Sequence, residues 1–195
     1  MLALFWIGII VIVAIAIFFV ANQGRLQPQE IPQGLPALER NLFNLEVGDI
    51  VQYGGEDWVV EGRLTYYEGG YSWFDYLLQE SDRIRWLSVA EDDIVEVAWM
   101  ESTTALELSG EPPRQITFDG ESYRQVGSGV ARMSRIGTLR RQPPENCRYF
   151  DYEGPGDQVL SVEDWDGELE VSVGRSINPR ELSLLPGTGG SVYRG

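Results

Sequence analysis

Short runs of alternating apolar and polar residues, separated by glycine pairs, confine most of this chain to antiparallel β-structure. Val47–Tyr53 and Asp57–Thr65 alternate with period two, and the intervening Gly54-Gly55 supplies the positive φ angles that a tight hairpin turn demands. Gly69-Gly70 precedes a third run, Tyr71–Leu78. Arg85–Val89 and Ile94–Met100 follow, joined by the acidic turn Glu91-Asp92-Asp93. Five strands are therefore predicted in the first half. The 22 Gly and 10 Pro mark frequent turns rather than long helices, while aromatic residues at 11% and many Val, Ile and Leu can fill a core.

The second half repeats the first. Gly55, Glu56 and Trp58 fall on Gly120, Glu121 and Tyr123 at one constant offset. Leu87-Ser88-Val89 and Val95-Glu96-Val97 correspond to Leu160-Ser161-Val162 and Leu169-Glu170-Val171, with Tyr76 answered by Tyr149. The predicted fold is all-β: two similar antiparallel units, about 45–108 and 114–185, packed as one barrel-like or sandwich-like domain. Each unit alone is too small to bury both faces of its sheet. Two independent domains would need a linker, and Ser109–Pro113 and Gln142–Glu145 are short and punctuated by proline.

Residues 1–22 have a different solvent in view. From Leu2 to Ala21 the chain runs for twenty residues without a charge, and at about 1.5 Å per residue a helix of that length spans the hydrocarbon of a bilayer. No basic residue precedes the run, and Phe19 spoils a cleavage site ending at Ala21, so a retained single-pass anchor is expected rather than a signal peptide. Arg25, the nearby basic residue, follows the run and favours a cytoplasmic domain under the positive-inside rule. Residues 23–44 are rich in Pro, Gln and Gly and read as a linker; 186–195 hold too little apolar content to fold and read as a flexible tail.

Composition removes several kinds of chemistry. The net charge is −15 and all fifteen basic residues are Arg, so nucleic acid is an unsuitable partner. Without His or Lys there is no imidazole base, no His metal ligand and no Schiff-base nucleophile. Cys147 is the sole cysteine, which excludes an internal disulfide and a thiolate zinc site, and beside Arg148 it reads as an inert thiol. The acidic turns Glu91-Asp92-Asp93 and Glu163-Asp164-Trp165-Asp166-Gly167 lack the spacing of a known calcium loop, and Asp166-Gly167 reads as a hairpin turn. No cofactor, no metal and no enzymatic activity are expected.

Within the first unit, Val47-Gly-Asp-Ile-Val-Gln-Tyr53, Trp58-Val-Val-Glu-Gly-Arg63, Trp73–Leu78 and Arg85-Trp-Leu-Ser-Val89 resemble the bacterial domain-of-unknown-function family numbered 4178. Gly48-Asp49, Glu61-Gly62 and Trp86-Leu87 are the most telling points of a likeness that covers roughly Leu45 to Leu185. The resemblance implies a small β-domain, often attached to membrane segments or found among envelope-stress components. It implies no site residue. The single anchor followed by a Pro-Gln linker is similar to cyanobacterial members.

Two surfaces are candidates for function. Alternation places Tyr71, Trp73 and Asp75 on one face of a strand and Phe74 and Tyr76 on the other, so these aromatics either pack a core or line a groove for a peptide or apolar ligand. Between Arg124 and Arg148 the charge reverses: Arg124, Arg132, Arg135, Arg140, Arg141 and Arg148 face one acid, Glu145. With Gly127, Ser128, Gly129 and Gly137 interspersed, this stretch reads either as a mobile loop contacting acidic partners or lipid headgroups, or as internal partners for surplus carboxylates. Tyr71, Trp73, Arg132, Arg135, Arg140 and Arg141 are the predicted partner-binding residues. The expected function is a membrane-tethered protein-interaction or scaffold module. The alternatives are a small-ligand sensor with an aromatic-lined pocket, and a hydrolase relying on two converging carboxylates.

Overall fold

Turn chemistry sets the local topology. In the computed structural model, which describes residues 39–137 and 145–187, both Gly54 (φ 62°) and Gly55 (φ 84°) take positive φ, as do Asp166 (φ 55°) and Gly167 (φ 93°). Each pair closes a two-residue hairpin whose twist matches that of its strands. Eleven strands result among the described residues: β1 (Ile50–Tyr53), β2 (Glu56–Glu68), β3 (Tyr71–Glu80), β4 (Arg83–Glu91), β5 (Val95–Thr103), β6 (Gln115–Phe118), β7 (Glu121–Gly137), β8 (Asn146–Glu153), β9 (Gln158–Trp165), β10 (Glu168–Ser176) and β11 (Ser183–Leu185). The five strands predicted for the first half are all present. The helical content of the described residues is one short 3-10 turn, Pro179–Glu181.

Eight strands close on themselves in the order β2-β3-β4-β5-β10-β9-β8-β7, with β7 returning to β2 from Gly62↔Gly137 to Tyr67↔Arg132. The result is an antiparallel barrel, which removes the open edges that an isolated sheet would expose. Two long strands make closure feasible. Along one edge of β2, Glu56–Val59 pair with β1 and Gly62–Tyr67 pair with β7; likewise Glu121–Arg124 of β7 pair with β6 before the strand reaches β2. A bulge sits between Val60 and Gly62 in β2, and another between Gln125 and Gly127 in β7, where each strand changes partners. At the seam, Gly137 has φ 91°, and a side chain there would run into the Glu61 carbonyl and Gly62.

The two halves correspond in register. Val51 opposes Trp58 as Ile116 opposes Tyr123, and Val89 opposes Val97 as Val162 opposes Val171. The bulges fall at the offset that relates Gly55 to Gly120. One element of the sequence reading is corrected: Tyr76 opposes Leu87 as Tyr152, not Tyr149, opposes Leu160. Tyr149 lies an odd number of residues from Tyr152, so alternation sends it to the opposite face.

Apolar residues fill three sites. Outside the barrel wall of the first half, Trp58, Val60, Tyr76, Leu78, Leu87 and Val89 form a buried cluster, covered by Leu42, Phe43 and Leu45. On the second half, Tyr123, Phe150, Tyr152, Leu160 and Val162 form another, covered by Leu106 and Leu108. Each fully buried Leu or Val stabilises the fold by about 1.5–3 kcal/mol relative to exposure. The covers are latched alike: the Tyr76 hydroxyl donates to the Leu42 carbonyl at 2.8 Å, and the Tyr152 hydroxyl donates to the Pro113 carbonyl at 2.9 Å. A third cluster, around Leu64, Tyr66, Met133 and Trp165, lies within the barrel.

Residues 39–44, assigned to the linker by composition, are folded. The buried Asp49 carboxylate accepts from the backbone N–H of Glu46 at 2.7 Å and of Gly187 at 2.8 Å, and pairs with Arg40 Nε at 2.7 Å. One side chain thus ties the entering and leaving segments to the barrel, and β11 pairs with β1 beside it. The apolar run 2–21 and Arg140 and Arg141 lie outside the described residues; among those that are described, no helix is long and apolar enough to cross a membrane.

Candidate functional site

The barrel holds a cavity of about 960 Å³, lined by residues from all eight of its strands. Along β3 its lining follows from alternation. On β3, Tyr71, Trp73 and Asp75 point to the lumen, while Phe74 and Tyr76 stack on each other at 6.2 Å outside it. The split of faces expected from the sequence is therefore correct, and Tyr71 and Trp73 belong to a cavity rather than to a flat surface. Trp73 stacks on Tyr66 at 5.0 Å and meets the edge of Tyr149 at 5.2 Å, while Tyr66 reaches Trp165 at 6.5 Å. These rings join β2, β3, β8 and β9 across the lumen and seal part of it. Tyr71, Ile94 and Val126 also line the cavity, and all three are exposed, so the lumen has an apolar mouth.

Of the acidic side chains that line this space, Asp75, Asp151 and Glu163 are the ones shifted by burial. The Tyr66 hydroxyl donates to Glu163 at 2.6 Å, and Ser161 donates to Asp151 at 2.9 Å. Asp75 sits directly opposite Ser88 on β4, the register position that Asp151 has to Ser161 on β9. Each half thus contributes one Asp–Ser pair. The Oδ1 atom of Asp75 is buried with no hydrogen-bond partner.

Electrostatics follow from burial. All three carboxyl groups are raised above the usual carboxylate range, chiefly because burial disfavours their charged forms. For Glu163 the neighbouring Asp75 charge adds to the shift, against the hydrogen bond from Tyr66. The Tyr66 hydroxyl is raised in turn, by burial first and the Glu163 charge second. Cys147 is buried and its thiol is also raised by burial, which removes the thiolate a nucleophile would need.

The described part of the arginine stretch is mostly strand. Arg124, Arg132 and Arg135 lie on β7 and are exposed; Arg148 lies on β8 and pairs with Glu111 at 2.6 Å and Asp164 at 3.2 Å. Neither Arg132 nor Arg135 lines the cavity, so the structure does not join them to Tyr71 and Trp73. Sequence reasoning did not single out Asp75, Asp151, Glu163, Tyr66 or Trp165 as site residues. A signal was there: Tyr71-x-Trp73-x-Asp75 and Ser161-x-Glu163-x-Trp165 each set a carboxylate in phase with an aromatic ring.

Comparison with known proteins supplies relatives without an assigned activity. An uncharacterised protein of Mycobacterium tuberculosis and one of Mycobacterium bovis are each 33% identical over 148 residues, covering 71% of this chain and 70% of theirs. An uncharacterised protein of Aquifex aeolicus is 26% identical over 170 residues, covering 81% of this chain and 92% of its own. No solved structure matches. Residues 46–179 match the domain of unknown function DUF4178, so the chain belongs to that family.

Proposed function

We propose that the barrel is a binding module whose lumen takes a small amphipathic molecule, and that it acts by binding rather than by catalysis. The observation that carries this is the cavity of about 960 Å³, lined by aromatic rings and opening through Tyr71, Ile94 and Val126. That volume lies at the upper end of the range of small-molecule sites, and an apolar lining with a few polar groups is their usual character. The neutral dye N-phenylnaphthylamine tests it. Its fluorescence should rise on mixing with the protein and fall sharply for Ala98→Trp, which places a large ring in the lumen. No uptake by the parent chain would remove the proposal.

A second reading keeps the interaction module. Tyr67 opposes Arg132 across the seam, and Val130, Ile136 and Tyr67 are exposed apolar residues on the outer wall beside it. Partner recovery by crosslinking should be lost on Arg132→Ala with Tyr67→Ala if this wall is used. We also propose that residues 2–21 tether the barrel to a bacterial membrane, with the domain on the cytoplasmic side. Recovery of the full chain in the carbonate-soluble fraction would exclude the tether. Finally, matching bulges, latches and Asp–Ser pairs support an origin by internal duplication, which relatives whose halves share none of these features would count against.

A further inference from the structure

We infer that the lumen selects an organic ammonium ion, a molecule with a protonated or quaternary nitrogen on an apolar body. This inference rests on the ligand-binding reading above and names the ligand class. The aromatic and the acidic groups are interleaved on the same strands: Trp73 with Asp75 on β3, Tyr149 with Asp151 on β8, Trp165 with Glu163 on β9. A ring face and a carboxylate side by side are the two features that attract such a cation, the first through its quadrupole and the second through its charge. An anion would be repelled by these carboxylates, and a purely apolar guest would leave them unused.

Charge around the cavity points the same way. Among the described residues that line it, Arg85 is the single basic one, and its guanidinium is held by Glu101 at 2.8 Å. Among the described lining residues, no cation therefore answers Asp75, Asp151 and Glu163. The buried, unpartnered Oδ1 of Asp75 is an acceptor facing a cavity with room for a donor. A metal ion is the poorer match, because among the described residues no three acidic side chains converge as a chelating set.

Proton linkage gives the inference a distinctive signature. The titratable groups facing Glu163 are Asp75 from β3, Glu170 from β10, Tyr66 from β2 and Cys147 from β8, with Asp151 beyond Asp75. Burial raises Glu163, Asp75 and Asp151, so these carboxyls hold protons more readily than exposed ones. An entering cation favours the charged forms, so binding near neutral pH releases protons.

The test is isothermal titration of the full chain with benzyltrimethylammonium and with its uncharged carbon analogue, neopentylbenzene. The cation should bind about tenfold more tightly or better, the factor that one desolvated cation–π contact supplies. Its heat should change between buffers of different ionisation enthalpy, reporting proton release. Asp75→Asn and, separately, Glu163→Gln should each reduce the ratio of the two affinities, and with two isosteric variants the loss of one to misfolding leaves the other decisive. Equal affinities for the two probes, with N-phenylnaphthylamine still taken up, would overturn the cation inference and leave the lumen reading standing. Absence of uptake of all three would overturn both.

Discussion

Glu163 shows how a single buried group couples this fold to pH. Its carboxyl is raised by burial first and by the Asp75 charge second. The folded chain therefore keeps a proton that the unfolded chain releases once pH exceeds the ordinary carboxylate value of about 4.3. Stability from this group is complete below that value and is lost as pH rises through the folded pKa, at a rate of at most about 1.4 kcal/mol per pH unit. Asp75 and Asp151 are raised as well and add to the trend. Urea denaturation at a series of pH values should show the parent chain losing stability from acid towards neutral pH. Glu163→Gln, which still accepts from Tyr66, should lose less and be the more stable protein at neutral pH. Parallel profiles for the two would refute this account. At the outer wall the bonds are neutral: Tyr76→Phe and Tyr152→Phe each strand a carbonyl, of Leu42 and Pro113 respectively, and each should cost about 1–2 kcal/mol in the same assay.

At the scale of elements, local signals and long-range pairings separate cleanly. The strands of the first half and the Asp166-Gly167 turn were legible because alternation and turn residues act within a few positions. β7 was not. Gly127 and Gly129 interrupt its pattern, and its arginines read as a loop, yet it runs for 17 residues because β8 pairs with most of its length and β2 with its end. The acidic part of the lumen, unlike Tyr71 and Trp73, was hidden for another reason. In a half-buried sheet the polar face is ordinarily the wet one, so alternation alone does not mark Asp75, Ser88, Ser161 and Glu163 as lining an interior. Here the apolar face packs under the covering segments and the polar, aromatic face turns inward, an inversion that only closure reveals. Closure depends on Gly137, whose positive φ and contact with the Glu61 carbonyl exclude a side chain. Gly137→Ala should therefore destabilise by about 2 kcal/mol or more, the sum of left-handed strain and displaced backbone. Gly120→Ala, at a turn with open space around it, should show strain alone. Equal losses would mean that the seam has slack.

For the whole molecule, the open question is where the folded unit begins. Composition put the boundary at residue 45, and the family match begins at residue 46. Physical contacts put it earlier. Arg40 pairs with Asp49, a carboxylate that is 1% exposed; Leu42 accepts the Tyr76 hydroxyl; and Phe43 meets Phe74 edge-on at 6.2 Å. A chain that begins at Leu45 keeps every strand yet leaves the Asp49 charge without its cation and the Tyr76 hydroxyl without its acceptor. Removing one partner from a buried ion pair costs about 3–5 kcal/mol, because the remaining charge stays desolvated. In a protein whose total stability is of order 5–15 kcal/mol, that loss is decisive. A chain beginning at Glu39 should therefore match the full chain in urea denaturation, whereas one beginning at Leu45 should unfold at markedly lower urea. If the two truncations unfold together, the segment 39–44 is a cover without a structural role, and Asp49 is held by its backbone donors, Glu46 and Gly187, alone.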